Sequence, residues 1–200
     1  MLERMIYLKH ERIQSLNNRI LEEYTNEKIV LGDGNLDCSI MLIGEAPGAK
    51  EVELKKPFVG QAGKYLDEFI EVLGISREQL YITNVVKYRP TKKSTKTDGV
   101  VNRPPTNIEI EKFKKYLIEE IDIIDPEIIV SLGNTPIKGI FEDDFKIGEV
   151  HGKALETNIK GKEYMIFPLY HPAAVIYRRE LKTVYLDDLK ELKKIIREKC

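Results

Sequence analysis

Short apolar runs alternate with longer amphipathic stretches along this chain. The runs Ser39–Ile43, Tyr81–Val86, Glu127–Leu132 and Met165–Leu169 are rich in apolar and β-branched residues, which is typical of strands buried on both faces. The stretches between them carry apolar residues at helical spacing. This alternation predicts an α/β three-layer sandwich, with a central four-stranded parallel sheet and helices on both faces.

Helix boundaries are marked by specific residues. Gly74 is positioned to end one helix, and Thr106 with Glu109 forms a capping box that begins another. Residues 87–105 form a long polar connection, and residues 141–162 are less regular and compatible with a hairpin. The predicted helices cover about residues 2–24, 61–73, 106–123, 134–140 and 181–197.

The length of 200 residues predicts a single domain, residues 1–200, on which residues 1–28 pack as an N-terminal helical extension. We expect a cytoplasmic protein, because no stretch resembles a signal peptide or a membrane span. We also expect a monomer. Two isolated cysteines, Cys38 and Cys200, make neither a disulfide framework nor a thiolate metal site.

Positive charge is concentrated locally although the net charge is only −1. Residues 87–103 hold six cations and one anion, and Arg178, Arg179 and Lys182 form a second basic group. Both groups follow strand ends that carry candidate catalytic residues. They therefore indicate contacts with nucleic acid, with solvated loops as the alternative.

Candidate chemical groups lie at or just after the end of each predicted strand. These are Glu45 with Glu51 shortly after it, Asn84 and Lys87, the pair Gly133-Asn134, and His171. Because the carboxyl ends of parallel strands share one edge, these groups should meet there with the ring of Phe58. An amide, an aromatic ring and an imidazole are the parts needed to hold a planar polar base. The alternatives are a solvated turn carboxylate, a strand-capping histidine, an amide bonded to loop backbone, and a core phenylalanine.

Several of these residues lie in motifs that resemble those of the family-four uracil-DNA glycosylases, in the order of that family. The resemblance covers about residues 30–192. The motifs are Gly44-Glu45-Ala46-Pro47-Gly48 with Glu51, Pro57-Phe58-Val59-Gly60-Gln61-Ala62-Gly63, Thr83-Asn84-Val85-Val86-Lys87, Asn102-Arg103-Pro104-Pro105 and His171-Pro172-Ala173-Ala174.

The resemblance implies a DNA repair enzyme that flips deoxyuridine out of DNA and hydrolyses its N-glycosidic bond. By this resemblance, His171 donates to uracil O2, while Glu45 orients water or stabilises the sugar cation. Asn84 reads N3 and O4, Phe58 stacks on the base, and Glu51 excludes the methyl group of thymine.

Further residues acquire expected roles from the same resemblance. Ala173 to Ile176 are expected to form an apolar wedge in the minor groove. The expected substrate-binding residues are Gly44, Ala46, Pro47, Gly48, Glu51, Phe58 and Asn84, and the expected DNA-binding residues are Lys87, Arg89, Arg103, Ala173, Ala174, Val175, Arg178 and Arg179.

The chain departs from that family in its cysteines. The family typically carries four cysteines that hold an iron–sulfur cluster, and the corresponding positions here are near Asn17 and Ile20, and at Tyr88 and Phe113. None is a cysteine. We therefore expect no cluster and no other metal or cofactor, with aromatic and apolar side chains packed in that space.

Three further questions stay open at the level of sequence. The chain could be a catalytically silent DNA-binding member of the fold, or it could excise hypoxanthine or xanthine. A covalent trap is less well supported, because Ala173 and Ala174 offer no nucleophile beside His171. The insertion Thr91–Val101 is either a mobile insert or a grip on phosphates.

Overall fold

The fold is built on one mixed sheet in the computed structural model, which describes residues 2–96, 98–142, 145–178 and 180–199. The strands are β1 Asp33–Gly34, β2 Ile40–Gly44, β3 Leu80–Asn84, β4 Thr91–Lys93, β5 Val100–Asn102, β6 Ile128–Leu132, β7 Leu155–Ile159 and β8 Lys162–Leu169. The sheet order is β1-β3-β2-β6-β8-β7, and a separate two-stranded ribbon pairs β4 with β5.

The α/β class is confirmed, but among the described residues the main sheet has six strands where the sequence predicted four. Strands β3, β2, β6 and β8 run parallel, as predicted, and β1 and β7 add antiparallel edges. The two edge strands lack the run of buried apolar residues by which the four parallel strands were recognised in the sequence. β1 has only two residues, and β7 alternates half-buried and exposed positions along most of its length.

The longer helices agree with their predicted ranges, whereas three short helices were not predicted. The helices are α1 Leu2–Glu23, α2 Ala49–Leu54, α3 Gln61–Leu73, α4 Asn107–Ile124, α5 Asn134–Ile140, α6 Ile147–Val150, α7 Pro172–Tyr177 and α8 Leu181–Lys199. The missed helices are α2, α6 and α7, whose four to six residues show too little periodicity to be recognised.

Local chemistry accounts for where the long helices begin and end. Thr106 accepts a hydrogen bond from the backbone N–H of Glu109, and the Glu109 carboxylate accepts one from the backbone N–H of Thr106 at 2.7 Å. Gly74 ends α3 in a left-handed conformation (φ 73°) that glycine adopts without strain. Both predicted helix signals are confirmed.

The strands divide the apolar core into two layers, one on each face of the sheet. Ile40 and Leu42 pack in a cluster with residues of α3 and α8. Met41 and Ile43, which alternate with them, pack in a cluster with residues of α1, α4 and α5. Because successive side chains of a strand point to opposite faces, β2 supplies both layers.

The N-terminal helix contributes to one of these layers. Leu16 and Ile20 of α1 are buried, and Arg19 pairs with Glu119 of α4 at 2.5 Å. The treatment of the chain as one domain stays a prediction. In the described part of the chain, no helix is both long and apolar enough to cross a membrane.

A buried ion pair lies beneath the end of β3 and corrects one predicted role. The Lys87 side chain is wholly buried, and its ammonium lies 2.5 Å from Glu120 Oε2. It also donates to Thr83 Oγ1 and, at 2.8 Å, to the backbone oxygen of Asn84. Lys87 was predicted to contact DNA. In this structure it is instead an internal cation, because all three of its partners lie inside the protein.

The insertion Thr91–Val101 was interpreted as a mobile insert or a phosphate grip. The structure shows a paired ribbon in which Thr91, Lys92 and Lys93 face Asn102, Val101 and Val100. The pairing continues at both ends, through Arg103 N to Pro90 O and Ser94 N to Gly99 O. The two ends of the insertion, residues 91–93 and 100–101, are therefore paired strands.

Replacing Lys87 with methionine should lower the free energy of unfolding by about 3–5 kcal/mol, because Glu120 is left buried without its cation. The variant Lys87→Met/Glu120→Leu should recover a large part of this loss, since it removes both charges. Urea unfolding of the two variants and the wild type measures the difference.

The matched control for this experiment is Lys190→Met, which removes an exposed ion pair with Asp187. We expect its unfolding curve to overlay that of the wild type. A Lys87→Met protein with an equally unchanged curve would contradict the role assigned to the buried pair.

Candidate active site

Gly44, the last residue of β2, is the point where two candidate side chains converge. Gly44 pairs with Asn84 at the end of β3. An added Cβ at Gly44 would lie 2.4 Å from Asn84 Oδ1 and 2.6 Å from Phe58 Cζ. Only glycine leaves room for this approach. The structure thus brings the predicted amide and aromatic ring together over the strand end that precedes Glu45.

Glu45 is held by its backbone and by its carboxylate. Its backbone oxygen accepts a hydrogen bond from Val86 N at 3.1 Å. Its Oε2 accepts one from Thr135 Oγ1 at 2.6 Å. Thr135 is buried near the start of α5, next to the end of β6. This contact fixes a half-buried carboxylate between two neighbouring strand ends.

Glu51 fastens the loop after β2 to the loop that precedes α3. Its Oε1 accepts from Gly60 N at 2.8 Å, and its Oε2 accepts from Gly48 N at 3.2 Å. The carboxylate is buried, and both of its oxygens are engaged within the protein. Glu51 therefore shapes the site by holding two loops, and its expected role against the thymine methyl group stays a prediction.

Phe58 has a strained backbone that the surrounding structure holds in place. Its φ of 52° lies in the left-handed region, which is uncommon for a bulky residue. Arg77 donates to the carbonyl oxygens of Phe58 at 3.1 Å and Pro57 at 2.7 Å. The ring itself is buried against Leu42 and Leu66. Its predicted position beside the candidate amide is found, and stacking on a base stays a prediction.

His171 follows β8 and packs against the turn after β6. An added Cβ at Gly133 would lie 3.2 Å from His171 Cβ, and Gly133 N donates to Leu169 O at 2.8 Å. His171 O accepts from Ala174 N, which joins the histidine to the start of α7. Burial lowers the pKa of the half-buried imidazole below its ordinary value. We therefore expect a neutral ring at pH 7.

A second histidine supports the segment that carries His171. The His151 ring lies 4.6 Å from the ring of Tyr170, centroid to centroid, and its Nδ1 is 2.8 Å from Asp188 Oδ2. Burial is the main cause of a raised pKa for Asp188, and the contact with His151 opposes it. His151 thus contacts both Asp188 of α8 and Tyr170. Because Tyr170 precedes His171, these contacts help to fix the backbone that leads to His171.

The remaining substrate-side residues complete the turn after β2. Pro47 is buried, and Ala46 packs on the core between the sheet and α4. Gly48 is the residue before α2 and donates its backbone N–H to Glu51. The predicted turn is therefore a rigid connection from β2 to α2, with Glu45 as its carboxylate.

Two of the predicted DNA-binding cations have partners inside the protein. Arg103 donates to both oxygens of Glu109 at 2.7 Å, and this contact is the main cause of a strongly lowered pKa for Glu109. Arg89 Nε donates to Asn102 Oδ1 at 2.6 Å. Arg103 therefore helps to hold the start of α4, and its contact with DNA stays a prediction. Arg89 stays a predicted DNA contact.

The predicted apolar wedge lies in α7, a short helix after His171. Ala174 and Val175 are half-buried, and Val175 packs on the core layer of α3 and α8. Arg178 is exposed directly after the helix. Ala173 lies in α7 as well, whereas Arg179 falls outside the described residues. Their expected contacts with DNA stay predictions.

Sequence reasoning missed the residues that support the site. Thr135, Arg77 and His151 lie in segments with no chemical motif, and each acts on a partner distant in sequence. One signal was present for Thr135, which follows Gly133-Asn134 at a predicted strand end. The amide proposed there, Asn134, is exposed and accepts from Ile147 N instead.

The positions that correspond to the family's cluster ligands are packed with other side chains. Phe113 is wholly buried, stacks on Tyr24 at 4.5 Å and lies 5.7 Å from the ring of Tyr88. Ile20 is buried in the same core layer. Among the described residues, no group of three or more histidine, cysteine or acidic side chains could hold a metal ion. These positions do not fit a thiolate-ligated cluster.

Comparison with known proteins agrees with this arrangement. A family model described as the uracil DNA glycosylase superfamily matches residues 31–193. The type-4 uracil-DNA glycosylase of Sulfurisphaera tokodaii is 40% identical over 193 residues, which cover 94% of this chain and 83% of that protein. The type-4 enzyme of Archaeoglobus fulgidus is 40% identical over 172 residues, 84% of this chain and 82% of that protein.

A bacterial relative extends the match along the chain. The type-4 uracil-DNA glycosylase of Thermotoga maritima is 33% identical over 203 residues, which cover 96% of this chain and 99% of that protein. The resemblance found in the motifs is thereby confirmed at the level of the family. The chain belongs to the uracil DNA glycosylase superfamily, and its similarity over most of its length is to the type-4 enzymes.

Proposed function

We propose that this protein is a monofunctional glycosylase that hydrolyses the N-glycosidic bond of deoxyuridine in DNA, leaving uracil and an abasic site. The observation that carries the proposal is the convergence of Asn84 and Phe58 on Gly44, directly before the fixed carboxylate of Glu45. Type-4 relatives that match most of the chain support the same reaction. Because stacking hides this bond in a duplex, the nucleotide is flipped out before reaction.

Glu45 acts on the sugar side of the bond. As the bond from C1′ to uracil N1 breaks, the sugar gains positive charge, and a carboxylate stabilises that charge. The same group orients the water whose oxygen bonds to C1′ and takes up its proton. Thr135 donates to only one carboxylate oxygen, Oε2, and holds it in position. Thr135 is therefore a positioning residue.

His171 acts on the leaving group. Uracil departs with the electron pair of the broken bond, and its negative charge spreads onto O2. A neutral imidazole N–H donates a hydrogen bond to that oxygen as the charge develops. The lowered pKa of His171 keeps the ring in its neutral form. A proton from solvent then completes the released uracil.

Asn84 and Phe58 select the base. The Asn84 carboxamide accepts from uracil N3–H and donates to O4, a pattern that cytosine does not present. Its orientation is supported by Lys87, whose ammonium binds the Asn84 backbone oxygen. Phe58 lies beside the amide over Gly44, where its ring stacks on the flipped base. The predicted monomeric state and cytoplasmic location remain predictions.

We propose further that this member functions without an iron–sulfur cluster. The aromatic cluster joins the end of α1, the segment after β3, and α4. It consists of Tyr24, which directly follows α1, with Tyr88, Phe113 and Tyr116. Glu109 and Glu23 accept hydrogen bonds from the hydroxyl groups of Tyr88 and Tyr116. Burial of the rings supplies the cohesion that a metal cross-link provides elsewhere.

The main test measures release of uracil from oligonucleotides that carry one uracil, hypoxanthine or thymine. The wild type should act on uracil alone. Glu45→Gln and His171→Asn should each slow the single-turnover rate by about a hundred- to a thousand-fold, because each removes one electrostatic contribution to the transition state.

The control is Glu156→Gln, which changes an exposed carboxylate on edge strand β7 and should leave the rate unchanged. Tight binding of uracil DNA without product would favour the catalytically silent alternative. Faster release of hypoxanthine than of uracil would favour the different-base alternative. Full activity of either site variant would refute the assigned role.

The protonation state of His171 gives a second prediction. Since burial lowers its pKa, an NMR titration should place its midpoint below the ordinary value of about 6.5. The unfolded chain then binds more protons between the two pKa values, so the free energy of unfolding falls as the pH drops below about 6.5. His171→Asn should remove that part of the pH dependence. A midpoint at or above the ordinary value would contradict the neutral donor.

The absence of a cluster is tested by spectroscopy on protein expressed with added iron and purified without oxygen. We expect no absorption band in the visible range and no bound iron. Phe113→Ala should lower the free energy of unfolding by about 3–5 kcal/mol, because it opens a cavity in the aromatic cluster. Stoichiometric iron with a broad visible band would overturn the proposal.

A further inference from the structure

The two-stranded ribbon of β4 and β5 projects from the protein beside the candidate site. Strand β4 carries Lys92 and Lys93, strand β5 carries Val100 and Val101, and all four residues are exposed. An isolated two-stranded hairpin is marginally stable in water. Its shape therefore depends on how its base is held.

The base of the ribbon is fixed to the start of α4. Arg103 Nε donates to Thr91 O at 3.2 Å, while the rest of its guanidinium binds Glu109. Arg89 Nε donates to Asn102 Oδ1 from the segment before β4. Arg89 and Arg103, the cations nearest the base of the ribbon, thus form hydrogen bonds that hold this base in place. The ribbon begins from a rigid support.

The same base contacts the loop that carries Glu45. A Cβ added at Gly48 would lie 3.6 Å from Asn102 Nδ2. Gly48 closes the turn after β2, four residues beyond Gly44. DNA with a nucleotide inserted at this turn must therefore pass next to Asn102 and the ribbon.

The pairing register gives each face of the ribbon the same composition. Lys92 pairs with Val101 and Lys93 pairs with Val100, and cross-strand partners lie on the same face. Each face thus presents one ammonium group and one apolar side chain. Val100 is 55% exposed and Val101 is 40% exposed, so neither is used by the core.

The charge of the ribbon is not balanced within the protein. In the part of the chain that the structure describes, no carboxylate forms an ion pair with Lys92, Lys93 or Lys96. Asp98 is the one acidic residue of the insertion. Unpaired cations beside apolar groups match a polymer with anionic phosphates and apolar sugar surfaces.

We propose that the ribbon is a DNA-binding arm that contacts the backbone next to the flipped nucleotide through Lys92, Lys93 and Lys96. Three paired residues span about 10 Å, which reaches phosphates outside the site. The valines rest on sugar or base surfaces between these contacts. This inference rests on the proposed function, since it takes DNA as the substrate.

The test compares salt dependence of DNA binding, measured by fluorescence anisotropy with a labelled, uracil-free duplex. The variant is Lys92→Gln/Lys93→Gln/Lys96→Gln. Each phosphate contact contributes about 0.9 to the slope of log affinity against log salt, so the slope should fall by about 2.7. The loss of affinity should be largest near 50 mM salt and shrink toward 200 mM.

The matched control is Lys190→Gln/Lys194→Gln/Lys199→Gln, three exposed lysines near the end of α8. Lys193 of α8 bonds to Val72 O near the end of α3, which leads to the amino-terminal end of β3, whereas the candidate site lies at the carboxyl ends of the strands. The control should keep the wild-type slope. A decrease in the ribbon variant smaller than about 0.9, one phosphate contact, would overturn the proposal.

The outcome is separable from that of the proposed function. If the wild type releases uracil while the ribbon variant keeps the wild-type salt slope, the ribbon proposal fails and the enzyme assignment stands. If the wild type releases no uracil, the enzyme assignment fails, and the salt slopes still decide whether the ribbon binds DNA.

Discussion

The buried ammonium group of Lys87 is the contact on which the site side of the sheet depends. It joins the end of β3 to α4 through Glu120 and binds the backbone oxygen of Asn84. Tyr81 and Thr83 donate to the same carboxylate, so the strand and helix share one charged acceptor. An ion pair in this position adds little net stability over apolar packing, but it fixes a geometry that apolar packing leaves less defined. The group whose position is fixed in this way is Asn84, the residue that carries the candidate amide.

At the site, one glycine makes room for two side chains, and residues distant in sequence hold the functional groups in place. Gly44 lets the amide and Phe58 approach the strand end, while Arg77 and Glu51 hold the loop that brings the ring there. Thr135 holds Glu45 from the neighbouring strand end. Each of these contacts is a hydrogen bond that restricts the conformation of a loop or a side chain at the site. Such fixed dipoles and charges act without reorganisation when charge develops in the reaction.

The parallel strands and the helix caps could be predicted from the sequence, whereas the residues that hold the site in place could not. Buried strands and capped helices have local signals, which is why α3, the Thr106 cap and the four parallel strands were predicted. The burial of Lys87 has no such signal, since its partner Glu120 is 33 residues away. A lysine near other cations resembles a surface residue until the helix that covers it is known. Thr135 and Arg77 were missed for the same reason, and edge strand β7 was missed because it is half exposed.

Glu109 links the two features that set this chain apart from the family pattern. It accepts a hydrogen bond from Tyr88 of the aromatic cluster and binds Arg103 at the base of the ribbon. It also caps α4 through Thr106. Arg103 is the main cause of its strongly lowered pKa, so the carboxylate stays charged at all pH values near neutrality. The packing that we propose in place of a cluster and the arm that we propose for DNA therefore share one acceptor. A change that weakened Glu109 would loosen both, because Tyr88 and Arg103 both donate hydrogen bonds to this one carboxylate.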